Sequence, residues 1–228
     1  MKERGLLFTP ENYTKSENGS KTQTRRIVEG KALDIINDLA GSPDPSPLAF
    51  QYVKDCERYD DNGDLPYLYT GLLVSLEEYP EEGFIELPCR FGTVGDRLYV
   101  KEGLERHSNL IGVRYRRDKA HLASMPHGGY YRWEWKKDYL SPLHMPKWAA
   151  RLWLELVEVR VERVQDISRE DAKAEGLWPG ANGLEQAAGR SHGNAQLAFQ
   201  ALWESIHGKG SWDLNPWVWV LSYRKVQP

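Results

Sequence analysis

Cysteine is scarce in this 228-residue chain: Cys56 and Cys89 are its only two. Neither has a second pair nearby, so a disulfide scaffold and a CxxC zinc site are both excluded, and both are expected as reduced thiols. No apolar run approaches the roughly 20 residues that a membrane helix needs. The opening Met1-Lys2-Glu3-Arg4 lacks the apolar stretch of a signal peptide, so the expected compartment is the cytoplasm and no membrane partner is expected. A surplus of positive charge is missing as well. With 30 Lys and Arg against 33 Asp and Glu, the net charge of −3 argues against a charge-driven binder of duplex DNA. Gly-rich phosphate loops, HExxH and GxSxG are absent, and His107, His121, His127, His144, His192 and His207 show no metal spacing. No metal and no cofactor are therefore expected.

What is present suits a folded chain. Hydrophobic residues make up 40% and charged residues 28%, which excludes a disordered tail, a collagenous repeat and a coiled coil. The length corresponds to roughly 1.5 domains, so residues 1–228 are expected to form one large domain with elaborations. Charge is unevenly spread. Residues 55–88 carry ten acids against Arg58 alone, whereas residues 101–140 carry nine bases against five acids. An anionic ligand would prefer the second region.

Local signals divide the chain. Residues 5–8 are expected as a buried strand, followed by Thr9 as an N-cap and Pro10 at the first helical position. Asn18-Gly19 stops that short helix, and the β-branched segment to Val28 leaves the turn as a strand. Leu33, Ile36 and Leu39 fall at helical spacing, and the Gly41 to Pro47 run breaks what precedes it. The acidic stretch of 41–83 is expected as an insertion or extended hairpin, and 104–140 as a second elaboration. From Phe84 onward strands dominate: 84–89, 97–100, 111–116 and 130–135, then a long one from Leu152 to Val164. In that last strand the apolar phase changes between positions 156 and 157, which requires a bulge or a crossing between sheets. Ser168-Arg-Glu-Asp171 has capping-box spacing and Gly176 is a stop, giving a helix over 169–175. A second helix over 194–207 aligns Ala198, Leu202 and Ile206, and Trp217 to Tyr223 is expected as a central strand covered by a helix.

The densest chemistry lies in Lys21-Thr22-Gln23-Thr24-Arg25-Arg26. In a regular strand Lys21 and Thr24 would face opposite sides, so they can cooperate only if a turn after Gly19 or a bulge reorients one of them. A threonine hydroxyl is a poor nucleophile unless a base takes its proton. A lysine serves as that base only if burial or a cationic neighbour, here Arg25 or Arg26, favours the neutral amine.

Gly-x-Lys-Thr-x-Thr-x-Arg after a short helix resembles the motif of the ASCH domains, a branch of the PUA-like β-barrels. Gly95-Asp96-Arg97-Leu98-Tyr99-Val100, His144-Met145-Pro146-Lys147-Trp148-Ala149, the run from Val161 to Gly176 and Asn215-Pro216-Trp217-Val218-Trp219-Val220 are similar in the same order. Together they resemble the longer ASCH proteins of bacteriophages and prophages, while 41–83 and 104–140 match little. The resemblance implies an α+β fold: a PUA-like barrel with flanking helices and inserted elaborations. Some small bacterial ASCH proteins cleave N4-acetylcytidine to cytidine and acetate with a Lys, a Thr and a Glu. By that resemblance Thr24 would be the nucleophile, Lys21 its proton acceptor and Glu175 the proton donor to the leaving amine. Arg25 and Arg26 would contact the substrate. Glu175 stands at a predicted helix C-terminus, where the macrodipole disfavours a carboxylate.

A second class stays open. PUA-like barrels often bind RNA or modified bases without chemistry, and the basic residues between aromatics in Arg114–Arg117 and Tyr130–Trp135 suit base stacking beside phosphate contacts. Trp153, Trp203, Trp217 and Trp219 lie in apolar patterns and are expected in the core. The expected partner under either function is a nucleoside or an RNA ligand.

Overall fold

The structure, a computed structural model, describes residues 1–41, 47–59, 66–77, 83–107, 112–122, 132–177, 185–187 and 190–228. Strand β1 (Glu3–Leu7) leads to Thr9, whose hydroxyl accepts from the Asn12 N–H at 3.2 Å, with Pro10 in the first turn of helix α1 (Pro10–Glu17). Gly19, at φ +81°, turns the chain back, a conformation in which a side chain would be strained. Strand β2 (Gln23–Ile27) and helix α2 (Lys31–Ala40) follow.

Next come β3 (Leu48–Tyr59) and β4 (Pro66–Leu76), an antiparallel hairpin to which β5 (Ile85–Leu87) adds a third strand. The hairpin expected in 41–83 is thus present, and it is part of the main core: Phe50, Tyr52, Leu72, Val74 and Leu87 pack there. The 42–46 part of the Gly41 to Pro47 breaker and the acids Asp60, Asp61, Asp64, Glu78, Glu81 and Glu82 lie outside the described residues. After β6 (Arg97–Lys101), the strands β7 (Leu104–Arg106), β8 (Val113–Tyr115) and β9 (Tyr139–Leu140) form a separate small sheet over Leu104, Tyr115, Trp133 and Met145. The strand expected over 130–135 is not borne out: 132–135 is irregular, while Tyr130 and Tyr131, like Ile111, lie outside the described residues. The Trp133 indole donates to the Lys137 carbonyl at 2.8 Å and meets Trp135 edge-on at 4.8 Å, so the aromatic run folds on itself instead of joining a ladder.

The remaining elements are β10 (Trp153–Arg163), α3 (Arg169–Ala174), β11 (Glu185–Ala187), β12 (Arg190–His192), α4 (Ala195–His207) and β13 (Trp217–Val226). The main sheet runs β1-β6-β10-β13-β2, parallel only between β1 and β6. The fold is mixed α+β, dominated by sheet. Among the described residues the sheet does not close into a barrel. Where β1 and β2 approach, the contact is a side chain, the Arg26 guanidinium donating to the Leu7 carbonyl at 2.5 Å.

The phase change expected in β10 is a bulge. Register shifts between Leu156 and Glu158, and Val157 is the extra residue, 46% exposed. Leu154 and Leu156 face the main core before it, and Val159 and Val161 after it. Strand β13 is apolar on both faces because it divides two cores. Trp219, Leu221 and Tyr223 enter the main one, whereas Val218 and Val220 pack under α3 and α4 with Ala198, Phe199 and Trp203. No described helix is long and apolar enough to cross a membrane.

Candidate functional site

Lys21 precedes β2, so its direction is set by the turn and not by strand alternation. The turn holds it from both sides: the Lys21 N–H donates to the Lys15 carbonyl at 3.0 Å, and the Thr22 N–H to the Ala174 carbonyl at 2.8 Å. The end of α1 and the end of α3 are thereby drawn to one point. Ser168 caps α3 through the Asp171 N–H at 3.0 Å, Glu175 closes it, and Gly176 at φ +88° turns the chain away. A Cβ on Gly176 would lie 3.2 Å from the Cβ of Lys21, so glycine there also leaves room for the lysine.

The result is a buried contact between residues 154 positions apart. Lys21 Nζ donates to the Glu175 backbone carbonyl at 3.0 Å and to its carboxylate oxygen Oε2. Their side chains are 1% and 4% exposed. Burial pushes the Lys21 ammonium below its ordinary value; the Glu175 charge opposes this, and Arg26 and Lys15 add to the lowering. The neighbouring cation anticipated for Lys21 is therefore Arg26. Thr24 is buried on β2, opposite Leu221 of β13, and makes no hydrogen bond through its hydroxyl among the described residues.

Lys21, Thr24, Arg25, Arg26 and Glu175 all border one cavity of about 300 Å³. All five residues singled out from the sequence are brought together. The two arginines, adjacent in the chain, have different fates. Arg25 is 1% exposed and committed: it bonds Glu162 at 2.5 and 3.0 Å, Asp171 at 3.2 Å, Glu175 at 3.3 Å and the Gln23 side-chain carbonyl at 2.7 Å. Its expected part in substrate contact is corrected accordingly, since no donor is left to offer and its effect is to orient Glu175. Burial alone would raise Asp171, but bonds from Gln23 and Arg160 and the nearby arginine charges hold its carboxyl below the usual range. Arg26 lies across the Phe8 ring at 5.5 Å and keeps its Nε buried without a hydrogen-bond partner among the described residues.

Several lining residues escaped the sequence. Helix α4 buries Ala195, Ala198, Phe199 and Trp203, a stripe rotated from the one expected, which leaves Leu202 and Ile206 for the cavity wall. Ile206 is 52% exposed. His207, its ring tilted against Trp203 with centroids 4.1 Å apart, also borders the cavity; burial and the Arg26 charge lower its pKa. The signal for this wall was the second apolar line on α4, indistinguishable by periodicity from a core stripe. Glu162 gave no local signal, because its partner lies 137 positions away.

The site therefore offers a hydroxyl, an amine biased toward neutrality by burial, a carboxylate in contact with that amine, and a buried, unused N–H on the cavity-lining Arg26. Among the described residues no cluster of His, Cys, Asp and Glu could hold a metal ion. No family model, curated protein or solved structure matches the chain.

Proposed function

We propose that the chain is an amidohydrolase acting on an N4-acylated cytidine-type nucleoside, within a PUA-like fold of the ASCH kind. The observation that carries the proposal is the shared cavity: Lys21, Thr24 and Glu175 border it together, with Lys21 buried against Glu175. A volume near 300 Å³ is at the lower end of the range for small-molecule sites. Phe8, Phe199 and Trp203 supply apolar and aromatic wall for a base.

The chemistry starts from the neutral form of the buried pair, with the proton on Glu175 and a free amine on Lys21. Thr24 Oγ1 attacks the acyl carbon while its proton passes to Lys21 Nζ, and the carbonyl π electrons move onto oxygen, where Arg26 Nε is the available donor. The C–N bond then breaks as Glu175 delivers its proton to the leaving amine nitrogen, which releases cytidine and leaves an ester on Thr24. Water gives a proton to Glu175 and attacks that ester. Thr24 Oγ1 leaves with the proton from Lys21, so carboxylic acid departs, ionises in solvent, and all three groups return to their starting state.

The test is direct. Purified chain should convert N4-acetylcytidine to cytidine, resolved by chromatography, and Thr24→Ala or Glu175→Gln should each lower the rate at least about 10²-fold. Wild-type protein that binds the nucleoside but never turns it over sinks the proposal. One observation favours a non-catalytic module for RNA or modified nucleotides instead: Lys21 directs two donors to Glu175, with no hydrogen bond to Thr24. Under that reading Arg26→Ala weakens binding, Thr24→Ala does not, and no variant has turnover to lose.

A further inference from the structure

A second cavity, of about 350 Å³, adjoins the first, and Phe8 and Thr9 border both. Its far side comes from the end of β6 and the basic region that follows: Lys101, Gly103, Arg116, Arg117 and Tyr139. Four of the nine bases in 101–140 are spent on internal ion pairs. Arg106 pairs with Asp138, Arg114 and Lys119 with Glu105, and Arg117 with Glu102, Glu17 and Asp118. The one acid lining the cavity, Glu102, is neutralised further by Arg151, which bonds it at 2.7 and 2.8 Å.

Two cations on the cavity wall remain without a carboxylate among the described residues. Lys101 Nζ donates to the Leu143 carbonyl at 2.8 Å, which leaves donors to spare. Arg116 is exposed and its guanidinium carbon sits 4.5 Å from the centre of the Tyr139 ring, a cation–π contact that leaves its N–H groups without a side-chain acceptor among the described residues. Gly103 lies against the pair, its Cβ position at van der Waals distance from Tyr139 and Arg116, 3.4 and 3.6 Å. The wall of the second cavity thus has unspent positive charge beside the cavity proposed for the nucleoside.

We propose that the second cavity is an anion subsite that takes a phosphate attached to the nucleoside in the first, so that the ligand is a nucleotide, free or within a strand, rather than a bare nucleoside. The identity of the base rests on the reading given under Proposed function; the phosphate contact does not. Arg116 and Lys101 would each donate to phosphate oxygens, charge-assisted bonds that are the stronger class.

The experiment is calorimetric titration of the full chain with cytidine, cytidine 5′-monophosphate and a three-nucleotide RNA with cytidine at its centre. The phosphate-bearing ligands should bind about tenfold or more tightly than cytidine at low salt, with the gap narrowing as salt screens it. A gain for the mononucleotide identifies a terminal phosphate, and a gain for the trinucleotide alone identifies an internal one; either supports the subsite. Lys101→Gln with Arg116→Gln should erase the gap while cytidine affinity and Tm stay within error, and Arg116→Gln alone should narrow it. Equal binding of all three ligands, no binding of any, or a gap that survives the double substitution overturns the proposal. Failure of the two proposals looks different. Turnover of N4-acetylcytidine without a phosphate gap removes only the subsite, and a phosphate gap without turnover removes only the hydrolase.

Discussion

Two buried glutamates, one beside each cavity, show how similar wiring can serve different ends. Glu175 is held by Lys21 and Arg25, and Glu102 by Arg117 and Arg151; each carboxylate side chain is 4% exposed. The difference lies in the cations. Burial would lower Arg151, but the Glu102 bond and charge outweigh it and keep the guanidinium protonated, so the Glu102 cluster cannot exchange protons with its partners. At Glu175 one cation is a lysine that burial biases toward the neutral amine. A carboxylate between two arginines is a structural pin, whereas one between an arginine and a buried lysine has a proton to move.

That contrast can be broken or sharpened in three ways. The largest effect is expected on the Glu175 side, where Arg25→Met strands Glu162, Asp171 and Glu175 around a neutral side chain. Loss of one partner from a buried ion cluster costs about 3–5 kcal/mol, measurable as a lowered urea midpoint. Glu102→Gln should cost less, about 2 kcal/mol, because Arg117 and Arg151 are 20% and 26% exposed and solvent compensates them in part. The folded Glu102→Gln protein should keep its turnover within a few-fold. Loss of turnover in that variant would erase the distinction between pin and proton carrier.

The third effect is one of shape. Because the reaction needs one proton on the Lys21–Glu175 pair, on Glu175 while Lys21 is neutral, the rate falls with rising pH as the pair loses that proton, in a titration below the ordinary lysine value of 10.5, and is flat beneath it. Lys21→Arg removes that limb, and Glu102→Gln leaves it unchanged. The same lowering acts on stability with a definite sign. Between the lowered value and 10.5 the unfolded chain holds a proton that the folded chain has lost, so this group's contribution to stability rises with pH across that window. An unfolding series in urea against pH on wild type and Lys21→Met reads it out.

Much of this was legible in the residues. Thr9-Pro10, Asn18-Gly19 and Ser168-x-x-Asp171 mark helix ends through contacts within a few positions, and each end stands where those residues require. The parity change in β10 needed only alternation to be seen. The meeting of Lys21, Thr24 and Glu175 was anticipated through resemblance, and the turn that frees Lys21 from strand alternation through Gly19. What was not legible depends on distant partners. Nothing near Arg25 announces Glu162, and nothing in α4 says which of two apolar lines faces the sheet. Over 132–135 aromatic β propensity lost to an indole bond four residues away, because propensity reports what fits a pleated surface and not whether a neighbouring strand is there.

The bulge at Val157 acts as a reading frame. Beyond it, odd positions carry Val159 and Val161 into the core, and even positions carry Arg160 and Glu162 to the face where Asp171 and Arg25 wait. If the bulge were flattened and Val157 drawn into the ladder, alternation from Leu156 would exchange the two sets, sending both charges into the core and both valines to the ion cluster. The loss would not stay local. Arg25 would lose Glu162, and with it part of the scaffold that fixes Glu175 against Lys21, although Val157 touches none of them. A single unpaired residue on the far side of the sheet thus works as punctuation for the site's electrostatics, a role that its own bland chemistry gives no hint of.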